Sequence, residues 1–164
     1  MAELRFVEGD AAWPIGDGPQ VIVHICNDLG VWGSGFVMAI SRRWPHVRDQ
    51  YLSWSREDRF AEGNTFHLGG LQILEVEPRL WVGNLVAQHG IMRVGNESPI
   101  RYSALGQTLL DVSVFALKKS ASVHMPRIGT GRAGGKWDRV EYIIRGALVD
   151  RGVDVTVYDW VPVG

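Results

Sequence analysis

The sequence predicts an α/β fold in which a largely parallel sheet lies between helical layers. Segments with the length and pattern of strands alternate with segments of helical periodicity along the chain. One of them, Val21 to Cys26, is a continuous apolar run, the pattern of a strand buried on both faces. Two glycine-rich stretches, Asn27 to Gly35 and Gly129 to Gly135, each stand between a predicted strand and a predicted helix. In sheets of this class ligands bind at the C-terminal ends of the strands, where such loops lie.

The elements follow in order. A short strand, Leu4 to Val7, is closed by Glu8-Gly9-Asp10, and the apolar strand Val21 to Cys26 runs into the first glycine-rich loop. From Phe36 the spacing is helical, with Phe36, Ile40 and Trp44 on one face until Pro45 stops it. Val47, Tyr51 and Trp54 continue at helical spacing beyond that proline. Leu71 to Val76 and Leu80 to Ala87 read as strands around the turn-forming Glu77-Pro78-Arg79. A long helix from Arg101 to Lys118 carries Tyr102, Leu105, Leu109, Val112 and Ala116 as one apolar stripe. Ser122 to Pro126 is strand-like, and the second glycine-rich loop leads into a helix from Asp138 to Asp150. Val140, Ile143, Ile144, Ala147 and Leu148 form its core face, and Asp138 and Arg151 suit its dipole. Val153 to Tyr158 is the final strand.

Composition narrows the function classes. A chain of 164 residues, 46% hydrophobic and 21% charged, has the length and make-up of one globular domain spanning 1–164. Its 17 basic and 18 acidic residues leave no positive excess, which argues against an extended nucleic-acid duplex as partner. The single cysteine, Cys26, forms no intramolecular disulfide and no CxxC-type zinc site. No His/Asp/Glu cluster has ligand spacing, so neither a metal nor a cofactor is expected. With no signal-peptide h-region and no apolar stretch of membrane-spanning length, the chain reads as cytoplasmic, without a membrane partner.

The chemistry is concentrated in the two loops. The first, Asn27-Asp28-Leu29-Gly30-Val31-Trp32-Gly33-Ser34-Gly35-Phe36, holds three glycines within six residues, which lets the backbone approach a ligand and turn its N–H groups toward it. The second, Ile128-Gly129-Thr130-Gly131-Arg132-Ala133-Gly134-Gly135-Lys136-Trp137, also feeds a helix N-terminus, an anion-binding position. Two such loops facing each other suit a diphosphate. Neither has the P-loop or dinucleotide spacing. Trp32 and Trp137 lie within the loops, where an indole would wall a ribose or base. Trp13, Trp44, Trp54, Trp81 and Trp160 read as packing residues. Asp10 reads as a turn or N-cap aspartate, or as an acceptor for an exocyclic amino group.

Gly9-Asp10-Ala11, His24-Ile25-Cys26-Asn27, Gly30-Val31-Trp32-Gly33-Ser34-Gly35-Phe36 and Met125-Pro126-Arg127-Ile128-Gly129-Thr130-Gly131 stand in the order and spacing of a macrodomain. The chain resembles that family from Leu4 to Tyr158. It is most similar to the branch of the terminal ADP-ribose protein glycohydrolase and the ADP-ribose-1″-phosphate phosphatases. The resemblance implies a macrodomain-type three-layer α/β/α sandwich with a mixed, mostly parallel six-stranded sheet and ADP-ribose lying across its top. It implies that Asp10 meets the adenine amino group, Ala11 offers a backbone amide and Asn27 sits near the distal ribose. Gly33, Ser34, Gly35 and Phe36 would then wrap one phosphate, and Gly129, Thr130, Gly131 and Arg132 the other.

One departure from the family bears on mechanism. Where the terminal glycohydrolase has a catalytic lysine this chain has Gln88, and the partner aspartate falls on Ala133. The lysine–aspartate route through a covalent intermediate is therefore closed. Hydrolysis by a positioned water remains, with Gln88, Asn27 or Asp28 placing that water or the 2″-hydroxyl, and with Asp28 as the candidate general base. The expected substrate is mono-ADP-ribosylated protein, modified through Glu/Asp esters. The alternatives are a reader that binds ADP-ribose without chemistry, an ADP-ribose-1″-phosphate phosphatase, and a sugar-nucleotide or NAD-type enzyme. His24 and His89 flank the predicted site, His24 within a strand that favours a satisfied core histidine.

Overall fold

The computed structural model describes residues 1–57 and 63–161. Six strands form one sheet: β1 (Leu4–Glu8), β2 (Gln20–Asn27), β3 (Leu71–Glu77), β4 (Leu80–Gln88), β5 (Ser122–Pro126) and β6 (Val155–Asp159). The helices are α1 (Phe36–Arg43), α2 (Pro45–Glu57), α3 (Tyr102–Lys119) and α4 (Trp137–Ala147), with a single 3₁₀ turn over Val149–Arg151. The strand order is β1-β6-β5-β2-β4-β3. All neighbours pair in parallel except β3 and β4. That exception follows from the loop length. The turn around Arg79, at φ 61, is a tight hairpin connection and forces antiparallel pairing, whereas parallel neighbours need a crossover.

The expected α/β/α architecture is what forms, and the alternation of side chains shows why. On β2, Val21 and Val23 join one core with Leu85 and Ala87 of β4 under α3 and α4. Ile22 and Cys26 join the opposite core with Val82 and Val86 under α1 and α2. Every residue of β2 but Ile25 is buried, as the unbroken apolar run requires of a central strand. Trp54 and Tyr51 of α2 are both fully buried, a burial that stabilises the fold by roughly 2–3 kcal/mol for each such side chain.

Two helix ends differ from the sequence expectation. Pro45 does not end one helix so much as begin the next: Trp44 leaves the helical region at φ −136 and ψ 79, and α2 starts at the proline. Proline tolerates the first helical turn, where its missing N–H would have no partner. At the other end α4 closes at Ala147 and tightens into the 3₁₀ turn, which Gly152 ends in the left-handed region at φ 96, so β6 begins at Val155 rather than Val153.

Candidate functional site

The C-terminal ends of β2, β4 and β5 open onto a cleft of about 350 Å³. Both glycine-rich loops face it. The first contributes Asn27, Val31, Gly33, Ser34, Gly35 and Phe36, and the second Gly129, Gly131, Arg132 and Ala133. Gln88, at the end of β4, lines the same cleft.

Two features make its walls suited to an anion. Neither α1, entered through Gly35 at φ 84, nor α4, entered through Lys136, has a side-chain cap at its N-terminus. The third amide of each is already engaged, Met38 by the Gly35 carbonyl at 3.1 Å and Arg139 by Asp138 Oδ1 at 3.0 Å, which leaves the first two of each for a ligand or solvent. A side chain added at Gly33 or Gly131 would meet nothing within 4 Å. These glycines leave open space at the cleft rather than relieve a clash.

The two loops are held in shape by different means. In loop one Asn27 does most of the work. Its Oδ1 accepts from the Leu29 and Val31 amides, at 3.0 Å each, and its Nδ2 donates to the Val31 carbonyl at 2.7 Å. The Tyr51 hydroxyl donates to the Asn27 carbonyl at 2.6 Å from α2 below. In loop two the backbone closes on itself, the Gly135 amide donating to the Gly129 carbonyl at 2.7 Å.

The structure separates the remaining sequence-predicted residues from the cleft lining. Asp28 does not line it, and its carboxylate is occupied: Oδ1 accepts from the Gly90 amide at 2.8 Å and Oδ2 lies 2.6 Å from His89 Nδ1. Trp32, expected to wall a sugar or base, is instead 7% exposed in the core beside His24 and Tyr51. An indole buries more apolar area beneath the loop than on it. Asp10 accepts from the Ala12 amide at 2.9 Å, the turn-capping arrangement, and Ala11 is buried; both stand at the end of β1, beyond the cleft. Thr130 turns its hydroxyl back to the Arg127 carbonyl at 2.8 Å. Trp137 opens α4 and stacks on Arg127 rather than facing the cleft. Asn27 does line the cleft, but its amide is spent on the loop.

Arg127 was present in the sequence string without a role. It lines the cleft, with its guanidinium against both the Phe6 and Trp137 rings, 4.8 and 4.6 Å from their centroids. Its Nε and Nη2 donate to the two Asp159 carboxylate oxygens, at 2.7 and 2.9 Å. That hydrogen-bonded pair raises the guanidinium above its ordinary value and holds the Asp159 carboxyl below its own. Ile91 and Met92, from the loop after β4, also line the cleft; only folding brings that loop against loop one.

Beneath the cleft a cross-strand row of polar side chains is buried in register, Gln72 opposite Asn84 and Asn84 opposite His24. Asn84 Nδ2 donates to Gln72 Oε1 at 2.9 Å, which turns its Oδ1 toward His24 Nε2 at 2.5 Å. Nε2 therefore carries the proton and Nδ1 is a bare, buried acceptor without a partner. Burial lowers the pKa of His24 to about 4, against the opposing hydrogen bond from Asn84. Burial also pushes up the Cys26 thiol, so this cleft-lining cysteine is no thiolate nucleophile. Among the described residues no group of three or more His, Cys, Asp or Glu could hold a metal ion, and no described helix is long and apolar enough to cross a membrane.

No family model matches the chain. Two solved structures and a curated relative are informative. A Bacteroides thetaiotaomicron protein of unknown function is 45% identical, with TM-score 0.91 over 96% of this chain and 98% of its own. A macrodomain protein from Streptomyces coelicolor is 48% identical, with TM-score 0.83 over 96% of this chain and 99% of its own. The chromodomain-helicase-DNA-binding protein 1-like of Danio rerio is 32% identical over 165 residues; the match covers 94% of this chain but only 15% of that much longer protein. With near-complete mutual coverage of the Streptomyces protein at that identity, this chain belongs to the macrodomain family.

Proposed function

We propose that this macrodomain binds ADP-ribose across its two glycine-rich loops and hydrolyses ADP-ribosyl linkages on mono-ADP-ribosylated protein, at Glu/Asp esters. The observation that carries the reading is the cleft onto which both loops open, with the uncapped N-terminus of α1 in its wall. Adjacent phosphates are the ligand groups such amide-rich walls suit. Along the strand order the distance from β4 to β1 is four strand spacings, about 19 Å. An elongated ligand with its phosphates over β2 and β5 would put one end near Gln88 and the other toward Asp10.

At the Gln88 end the cleft has an amide and, across from it, Ala133. Neither side chain can act as nucleophile or proton acceptor, so the reaction needs an attacking water rather than a covalent intermediate. An ester at the anomeric carbon has a good leaving group, a carboxylate, and electrostatic stabilisation by oriented loop amides supplies much of what its cleavage requires.

The test is incubation with protein mono-ADP-ribosylated on Glu/Asp, measuring free ADP-ribose, for the native chain and for Gly131→Glu. The added side chain has open space at its root, at a residue that lines the cleft, so the variant is expected to fold. Release by the native chain that Gly131→Glu abolishes supports the reading. Native protein that binds ADP-ribose and releases none is a reader, the outcome favoured by Ala133 and Gln88 standing where the related hydrolase keeps its ionisable pair.

A further inference from the structure

The geometry points to His89 as the general base of this hydrolysis, with Asp28 as the residue that positions it. The inference rests on the hydrolase reading above and supplies the group that reading lacks. The ionisable side chains lining the cleft are His24, Cys26, Arg127 and Arg132. His24 has its one bare nitrogen sealed in the core, Cys26 is a buried thiol, and the two arginines cannot accept a proton. A proton acceptor supplied by a protein side chain therefore has to come from outside this lining.

Next to Gln88 along the chain, outside the cleft lining, stands a pair that the sequence places 61 residues apart. Asn27 and Gln88 are partners in the β2–β4 register and both line the cleft. The residues that follow them, Asp28 and His89, continue side by side past the ends of the strands. Backbone bonds hold both: the Asp28 amide donates to the Gln88 carbonyl at 3.0 Å and the His89 amide to the Pro99 carbonyl at 2.8 Å.

The Asp28 carboxylate is anchored at one oxygen by the Gly90 amide and receives the His89 Nδ1 proton at the other, 2.6 Å away. A carboxylate can only accept, so Nδ1 is the protonated nitrogen and Nε2 of the neutral ring is a free lone pair. No described residue hydrogen-bonds Nε2, and the His89 side chain is 60% exposed whereas that of Asp28 is 17% exposed. An inner carboxylate that fixes the tautomer of an outer imidazole is the division of labour that hydrolases use to prepare a base.

The step balances without a further reactant. Water attacks the anomeric carbon of the distal ribose and gives one proton to His89 Nε2. The bond from that carbon to the ester oxygen breaks, and its electron pair leaves with the Glu or Asp carboxylate. The imidazolium then returns its proton to solvent, leaving free ADP-ribose and the unmodified carboxylate.

The test compares native protein, His89→Ala, His89→Gln and Asp28→Asn in turnover of protein ADP-ribosylated on Glu/Asp and in affinity for ADP-ribose. His89→Gln can still donate to Asp28 while removing the base. Both His89 variants should release ADP-ribose about 100-fold or more slowly, with ADP-ribose affinity within about twofold of native. Free imidazole should restore turnover to His89→Ala, a rescue that a merely structural role does not show. Asp28→Asn should lower turnover at unchanged affinity. Active native protein with His89→Gln equally active overturns the assignment alone. A loss that imidazole does not rescue and that comes with weakened ADP-ribose binding also overturns it, in favour of a structural brace. Native protein that binds ADP-ribose but never releases it removes the hydrolase reading and the base together.

Discussion

The two loops of the cleft present similar surfaces and are built by opposite means. Loop one is shaped by side chains: Asn27 ties three backbone groups, Tyr51 holds it from below, and Asp28 joins it to the loop after β4. Loop two relies mainly on close backbone approach, with one side-chain bond, from the Thr130 hydroxyl to the Arg127 carbonyl. A Cβ on Gly135 would lie 2.5 Å from the Gly129 carbonyl oxygen, and one on Gly129, at φ 78, would lie 2.7 Å from Ile100 Cδ1. The same backbone task, turning N–H groups toward a cleft, is met in one case by satisfying the polar groups and in the other by letting the chain approach itself. The two loops should therefore fail differently.

The largest effect should strike both alike, because each loop hangs from a strand with a buried histidine. His24 on β2 and His124 on β5 both have pKa values lowered to about 4, first by burial and, for His124, then by the Arg5 charge. His124 is held between the Tyr158 hydroxyl at 2.7 Å and Ser122 Oγ at 2.8 Å. The folded state resists their protonation while the unfolded chain does not. Stability should thus be full above pH 6.5 and drain as pH falls toward 4, by up to about 3 kcal/mol for each histidine. Urea denaturation at stepped pH checks this, and a midpoint flat across that window contradicts it.

Next in size, Gly135→Ala should destabilise by about 2–3 kcal/mol, because the obstacle is backbone and cannot rotate away. Hydrogen exchange should locate the loosening in loop two, and the loop-one amides should keep their protection. Asn27→Ala should do the converse. It orphans two amides and a carbonyl at a buried corner, for a loss of about 2 kcal/mol, and the Leu29 and Val31 amides should exchange faster. Asn27→Asp keeps the acceptor for those amides but sets a buried carboxylate oxygen against the Val31 carbonyl, so a loss of about 2 kcal/mol is expected for it as well. Equal loosening of both loops in either variant would mean that the two are one cooperative unit.

The smallest effect on stability belongs to Gly131→Glu, which should unfold at the native midpoint within about 0.5 kcal/mol because nothing stands near its Cβ. A large destabilisation there would show that Gly131 serves loop two as Gly135 does, and would disqualify it as a probe of the cleft.

Legibility in the sequence follows the same division. The elements were readable because their signals are local: an apolar run for β2, a helical stripe for α3, a proline–arginine turn between β3 and β4. The glycines of both loops were readable as a site because a backbone that must approach something writes glycine at successive positions. Residues whose role depends on a distant partner were not readable. Trp32 lies among glycines in sequence and in the core in space, and Asp28, read as a lone base, has both oxygens engaged across a 61-residue separation.

By itself, then, the sequence determined the alternation of strands and helices, the two core faces and the positions where backbone must come close to a ligand, since each is a matter of periodicity or of a missing side chain within a few residues. Only the tertiary structure decided which strands are neighbours, that Gln72, Asn84 and His24 form one buried row, that Arg127 packs on both Phe6 and Trp137, and that Asp28 meets His89. Those are pairings between remote segments, fixed by strand order and register, and no local pattern of residue types records them.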